Sequence, residues 1–344
     1  MRIRALVPAL LLIVAAAPAA SASVPPPGAR AVHVPAAARA VNTAHPDRYV
    51  GNGTAASCTS AAVVKAVRRG GVIRFRCGPK PVTITLHRTA KVVNTSKRVV
   101  LDGQNKITLS GADKHRILYL DTCDRRQVWT TSHCDNQARP HLVVQNLRFV
   151  HGNSTGQDFD GGGGGAIFDR GGRLKIVHSV FLHNRCERTG PDIGGGAVRA
   201  LSQYRGDPVY VVHSTFVRNR CSNGAGLSSI GVSWSVYNST FKDNAAIGHG
   251  ANPARKHTPG GGSGAAIYTD GDTYRVTVKG SVFRHNVANE GGGAIFYVSN
   301  DRTGQLSIAW STLRGNPSKG FETQPGIFYL GKTARPKIRH SIDK

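Results

Sequence analysis

The chain has 344 residues, 45 Lys plus Arg against 19 Asp plus Glu, a formal charge of +26 and 40% hydrophobic residues, enough apolar matter for a packed core and too much for a disordered chain. Gly occurs 41 times without a three-residue period, which excludes collagen. A basic field of this size gathers polyanions; with no helix-turn-helix, zinc-finger or single-strand stacking signature, specific nucleic-acid binding is set aside, and an acidic polysaccharide or anionic cell-envelope polymer is the expected partner.

In chain order, Arg2 and Arg4, an apolar run over 5–17 and the small-residue triplet Ala20-Ser21-Ala22 read as a secretory signal over residues 1–22. No later segment approaches the ~20 apolar residues of a membrane span. A secreted, extracellular monomer is expected. Residues 23–49 are rich in Pro and Ala and read as a loose segment. Residues 57–69 form an amphipathic helix stopped by Gly70-Gly71, and strands follow at 72–75, 82–86, 99–102, 107–110 and 117–120. Residues 121–140, with Trp129, are too charged and irregular for a strand and read as an excursion.

From Phe149 onward two strings alternate. Ser-Val-Phe-Leu-His-Asn at 179–184 returns at 214–219, 239–244, 281–286 and 311–316, with a relative at 149–153. Gly-Gly-Ala-Ile at 164–167 returns at 195–198, 224–227, 264–267 and 292–295, and as Gly326-Ile327. Between them lie short β-type runs that cannot bury an apolar face alone and must stack. The fold class is therefore all-β, a parallel β-helix over residues 50–335, capped by the N-terminal helix and followed by a tail at 336–344. Ile167, Val198, Leu227, Ile267, Ile295 and Ile327 form one interior ladder, and Phe181, Phe216, Phe241, Phe283 and Leu313 another. Asn184, Asn219, Asn244, Asn286 and Asn316 form an amide ladder at a turn that accepts a left-handed residue.

Six cysteines in an exported chain read as three disulfides. Neighbour pairing, one of fifteen connectivities, gives Cys58 with Cys77, Cys123 with Cys134 and Cys186 with Cys221. Cys186 and Cys221 each follow a ladder Asn by two residues, so stacking places them ~4.8 Å apart, inside the disulfide window. No C-x-x-C spacing points to zinc.

Val-Val-Leu-Asp-Gly at 99–103 resembles the start of pectin-lyase-like right-handed β-helices, and Gly-Gly-Ala-Ile with Phe-x-x-Asn is similar to the repeats of chlamydial polymorphic outer-membrane proteins. The resemblance implies a right-handed coil. Its functions range over lyases, glycoside hydrolases, epimerases and adhesins, so two readings stand: a polysaccharide lyase or glycoside hydrolase, and a non-catalytic adhesin-like or envelope-binding protein.

The candidate site follows from column positions. Asp158, Asp160 and Asp192 precede consecutive Gly strings, which would set Asp160 and Asp192 on the order of 5 Å apart, as an acid and base pair or a cation site, with Ca²⁺ as the candidate ion. Arg199 shares its outward column with Phe168, Tyr268, Phe296 and Phe328, rings able to stack on sugars, so it reads as a uronate clamp or a lyase base. Asp169 is a nearby support. Gly248-His249-Gly250 is similar to an element of polygalacturonase-like hydrolases, without the carboxylate motifs that accompany it there. The competing reading is a solvated turn with Arg counter-ions and rings lying under loops.

Overall fold

The structure is a computed structural model that describes residues 29–343 apart from residue 159; the expected signal over 1–22 lies outside the described residues. Short parallel strands stack into a right-handed β-helix with three sheets. A 17-stranded sheet takes two consecutive strand segments from most coils, an eight-stranded sheet runs from Ala90–Lys91 to Ile327–Leu330, and a three-stranded sheet joins Arg220–Cys221, Ala245–Ala246 and Val287–Ala288. Parallel strands buried between coils need apolar residues at alternate positions. That is the pattern the two strings supply.

The registers follow the expected columns. Ile167, Val198, Leu227, Ile267, Ile295 and Ile327 are partners in successive strands and fully buried. Phe149, Phe181, Phe216, Phe241 and Phe283 stack with ring centroids 4.7–4.9 Å apart, and Leu313 continues the column. In the amide ladder, Asn184 Nδ2 donates to Asn219 Oδ1 at 3.0 Å and Asn219 Nδ2 to Asn244 Oδ1 at 2.9 Å, with each residue also donating to the carbonyl of a preceding ladder Phe. The left-handed residue is not the Asn but the one before it, His183, Arg218, Asp243 and His285 among them. The Asn is held inside because its side chain replaces the strand hydrogen bonds that the turn interrupts. In the first of these coils Gly152 takes the ladder position, its N–H donating to Asn184 Oδ1.

All three disulfides join the neighbouring cysteines, with Cα separations of 5.7 Å for Cys58–Cys77, 4.9 Å for Cys123–Cys134 and 4.8 Å for Cys186–Cys221. The helix spans Ser60–Arg69; Thr59 caps it by accepting from the Ala62 N–H, and 55–57 form a 3₁₀ turn, so it starts later than the pattern suggests. The strands expected at 99–102 and 107–110 are one strand, Arg98–Ser110, bent at Gln104 and Asn105, both with positive φ.

Two expectations at the ends are corrected. The Pro and Ala-rich stretch from residue 29 onward is not loose but lies across successive coils of the long sheet. Asn238 clamps Val32 through both its N–H and its carbonyl, Gln145 does the same for Val41, and Asp47 accepts from the Val72 N–H. Val32, Val34 and Ala38 cover Val177, Val212 and Tyr237. The stretch holds only a 3₁₀ turn at Ala36–Ala38 before strand Arg48–Val50 begins; outward apolar residues of the coils hold the rest of it. The expected tail forms two further strands, Lys337–Arg339 and Ile342–Asp343, which extend the coil.

Candidate functional site

Strand alternation decides which predicted residues reach the surface. On the eight-stranded sheet Ile167 and Asp169 point inward and Phe168 outward, so Asp169 is fully buried inside the coil. Gln203 Nε2 donates to its Oδ2 while Oδ1 has no partner, and burial pushes its pKa up to about 7. It supports no outer face.

Asp160 and Asp192 are not a pair. Asp160 is withdrawn into an ion pair with Arg116, Nη1 to Oδ2 2.8 Å, with both side chains 1% exposed. Arg116 also donates to the carbonyls of Gly163 and Gly164 and stands 4.7 Å over the Phe168 ring. That covers Phe168; Gly163 meanwhile lets the next coil approach closely, as a Cβ there would fall 1.8 Å from the Gly194 carbonyl. Asp158 is exposed, its carbonyl accepting from Gly161. Among the described residues the one trio of ligand types within mutual reach is Cys123, Cys134 and Asp135, whose cysteines are already joined; Asp158, Asp160 and Asp192 do not converge on a cation.

What the outer face of this sheet does form is a cleft of about 800 Å³ further along the coil. Arg199, Phe296 and Phe328 line it, together with Leu201, Ile230, Val298 and Leu330 from the next outward column. Asp192 stands at its edge. Tyr268 and Asp270 occupy the two outward positions of strand Ile267–Asp270, and Asp270 lines the cleft. Phe168 and Tyr268 are fully buried and Phe296 is 3% exposed, so these rings are floor under loops more than open platforms; Phe328 is half-buried.

The cover is a hairpin within residues 248–262, the insertion that makes this the longest repeat. Bridges between His249 and Gly260 and between Ala251 and Gly261 close it. Glu290 pins it, accepting from Arg255 Nη2 at 2.7 and 2.8 Å and from the Gly250 N–H at 2.8 Å. His249 of the Gly-His-Gly element turns away toward Asn289. The hairpin delivers Asn252, whose Nδ2 is 2.7 Å from Asp192 Oδ1, 2.8 Å from Asp270 Oδ2 and 2.8 Å from the Tyr268 hydroxyl. Two carboxylate oxygens bonded to one nitrogen lie no more than about 5.5 Å apart.

Their environments differ. Burial raises Asp270 above the usual carboxylate range, against hydrogen bonds from the Gly271 N–H, Asn300 and Tyr268, and the charge of Asp192 adds to the rise. Asp192 is exposed. Beside them Arg199 is 2% exposed; Nη1 donates to Ser228 Oγ at 2.6 Å, Nη2 to the Asp192 carbonyl, and Nε has no partner. Among the described residues no carboxylate forms an ion pair with this guanidinium, and burial pushes its pKa down to about 10, so it stays charged at neutral pH. The charges of Asp192, Asp160 and Asp270 favour its charged form without pairing with it, and a buried cation without a direct ion-pair partner is costly.

Of the predicted residues, Arg199, Asp192, Phe296 and Phe328 line this cleft, while Phe168 lies under Arg116 and Tyr268 is not in the cleft wall. Column reasoning missed Asp270 and Asn252. Asp270 was open to inference, two residues after Tyr268 on the same side of one strand; Asn252 was not, because a loop's path is not set by strand period. Comparisons of the chain with protein-family models, with curated proteins and with solved structures find no match.

Proposed function

We propose that the protein is an exported glycan-active β-helix whose cleft takes a uronate-bearing saccharide and cleaves it by acid and base chemistry. The observation that carries this reading is Arg199, a buried guanidinium with no carboxylate partner on the wall of an aromatic and aliphatic cleft. A sugar carboxylate would supply the missing ion-pair partner through a charge-assisted hydrogen bond, while Phe296 and Phe328 would face the apolar side of a pyranose ring. The basic surface would concentrate such polymers. The three disulfides fit an oxidising, extracytoplasmic compartment.

Asp270, lifted by burial, is suited to give its proton to the glycosidic oxygen as the bond to the anomeric carbon breaks. Asp192, exposed and close by, is suited to attack that carbon; water, deprotonated by Asp270, would then release the sugar with a new reducing end. Two carboxylate oxygens within about 5.5 Å of each other are compatible with the close pair of a retaining glycosidase rather than the wider pair of an inverting one. Asn252 favours a second reading, binding without turnover, because its amide stands between the two carboxylates.

Titration calorimetry with an oligouronate and with its carboxyl-reduced neutral counterpart tests the ligand class. The reading requires at least tenfold tighter binding of the acidic form, lost in Arg199→Met without a fall in Tm, since an apolar residue relieves the unpaired charge. Equal affinity for both oligosaccharides contradicts it.

A further inference from the structure

A second concavity, of about 660 Å³, lies at the N-terminal end of the coil and is lined by Arg68, Arg88, Lys91, His115 and Arg126, with no carboxylate among its described lining residues. Four different parts of the chain bring these side chains together, four of them Arg or Lys. Arg68 comes from the last turn of the helix, Arg88 and Lys91 from around strand Ala90–Lys91, His115 from the turn before strand Leu118–Asp121, and Arg126 from the 3₁₀ turn Arg125–Gln127. Arg126 is paired with Asp124 at 2.9 Å, and Lys91 Nζ sits 5.1 Å from the Tyr119 ring; among the described residues Arg68, Arg88 and Lys91 are in no ion pair. Cations gathered in one concavity repel each other unless an anion joins them.

A second feature bears on what carries that anion. Val128 and Trp129 are 61% and 43% exposed, and they directly follow Gln127, which lines the same cavity. Asn94 fixes this turn by donating to the carbonyls of Asp124 and Trp129. An exposed indole two residues along the chain from a lining residue of a cationic pocket suits a sugar ring bearing a strongly acidic group, because the ring face is apolar and the substituent is charged.

We infer that this pocket is a second, separate binding site, for a sulfate or phosphate ester carried on a saccharide. It does not rest on the cleft, which lies on later coils and is lined by other residues. Guanidinium groups bind tetrahedral oxyanions through paired N–H donors, and both esters present such an oxyanion to the cavity.

Equilibrium binding is measured with a sulfated oligosaccharide, a phosphorylated one, their neutral parent, inorganic sulfate and an oligodeoxynucleotide of equal charge. The inference requires an ester-bearing oligosaccharide to bind at least tenfold tighter than the parent. Arg88→Gln with Lys91→Gln must cost at least tenfold, and the remote pair Arg335→Gln with Lys337→Gln less than twofold. Trp129→Ala must weaken the oligosaccharide severalfold and leave inorganic sulfate unchanged. The two arms bearing esters tell sulfate from phosphate. Equal losses in both double variants would show diffuse charge and overturn the site, as would tighter binding of the oligodeoxynucleotide through the same residues. On the unaltered protein, dicarbonyl labelling of arginines followed by peptide mass analysis gives an independent reading: the ligand must protect Arg88 at least fivefold and leave Arg335 unprotected, and an unprotected Arg88 overturns the inference whether or not the variants fold.

Discussion

Arg116 Nη1 lies 2.8 Å from Asp160 Oδ2 with both side chains 1% exposed, and the same guanidinium roofs the Phe168 ring. The pair ties Asp160, and with it the carbonyls of Gly163 and Gly164, to the turn before strand Leu118–Asp121. Removing one partner leaves the other buried and charged. Asp160→Asn should therefore cost about 3–5 kcal/mol, whereas Arg116→Met combined with Asp160→Leu should lose much less. Thermal melts of the three proteins check this; a single variant as stable as the parent would show that the pair is solvated.

Asp169 gives the fold a pH dependence of known sign. Its pKa is raised from 3.8 to about 7 by burial, so between these values the folded chain keeps a proton that the unfolded chain has lost, and stability falls as pH rises through that window. The loss is complete above about pH 7. At ~1.4 kcal/mol per unit the full effect is a few kcal/mol. Asp169→Asn keeps an acceptor for Gln203 and cannot ionise. Its Tm should match the parent near pH 4 and exceed it by several degrees at pH 8; parallel pH profiles of the two proteins would remove Asp169 as the cause.

The coil was legible because its columns repeat. Phe181 to Leu313, the ladder Asn residues and the Cys186–Cys221 pair each report the same stacking, and an error in one would break the others. Asp169 was misplaced although the alternation from Ile167 already set it inward; there the period was available and not applied. Asp160 is different. Its partner Arg116 lies 44 residues earlier, and Asn252 reaches Asp192 across 60; both contacts depend on loop paths that no strand period encodes. The N-terminal strap was hidden for a related reason, since Pro and Ala content says nothing of the apolar surface waiting on the coils.

Asn238 is the clamp of that strap, holding the N–H and the carbonyl of Val32 at 2.8 and 2.9 Å. Asn238→Ala should cost ~1–3 kcal/mol by leaving both groups with one fewer partner, and its local effect should exceed the global one. Hydrogen exchange over residues 30–45 should rise at least tenfold while the ladder amides of Asn184, Asn219 and Asn244 stay protected. Unchanged exchange in the strap would show that Val32, Val34 and Ala38 hold it by burial alone.

The central claim is that Asp192 and Asp270 act together on a uronate-bearing glycan held by Arg199. The most direct measurement follows new reducing ends released from a panel of polyuronides and glycosaminoglycans by the parent, Asp192→Asn and Asp270→Asn. Either carboxylate removed should lower the rate at least a hundredfold with Tm and oligouronate binding kept, and the product should retain its anomeric configuration. Release of unsaturated product, no release from any polymer that binds, or full turnover in either variant would contradict the account.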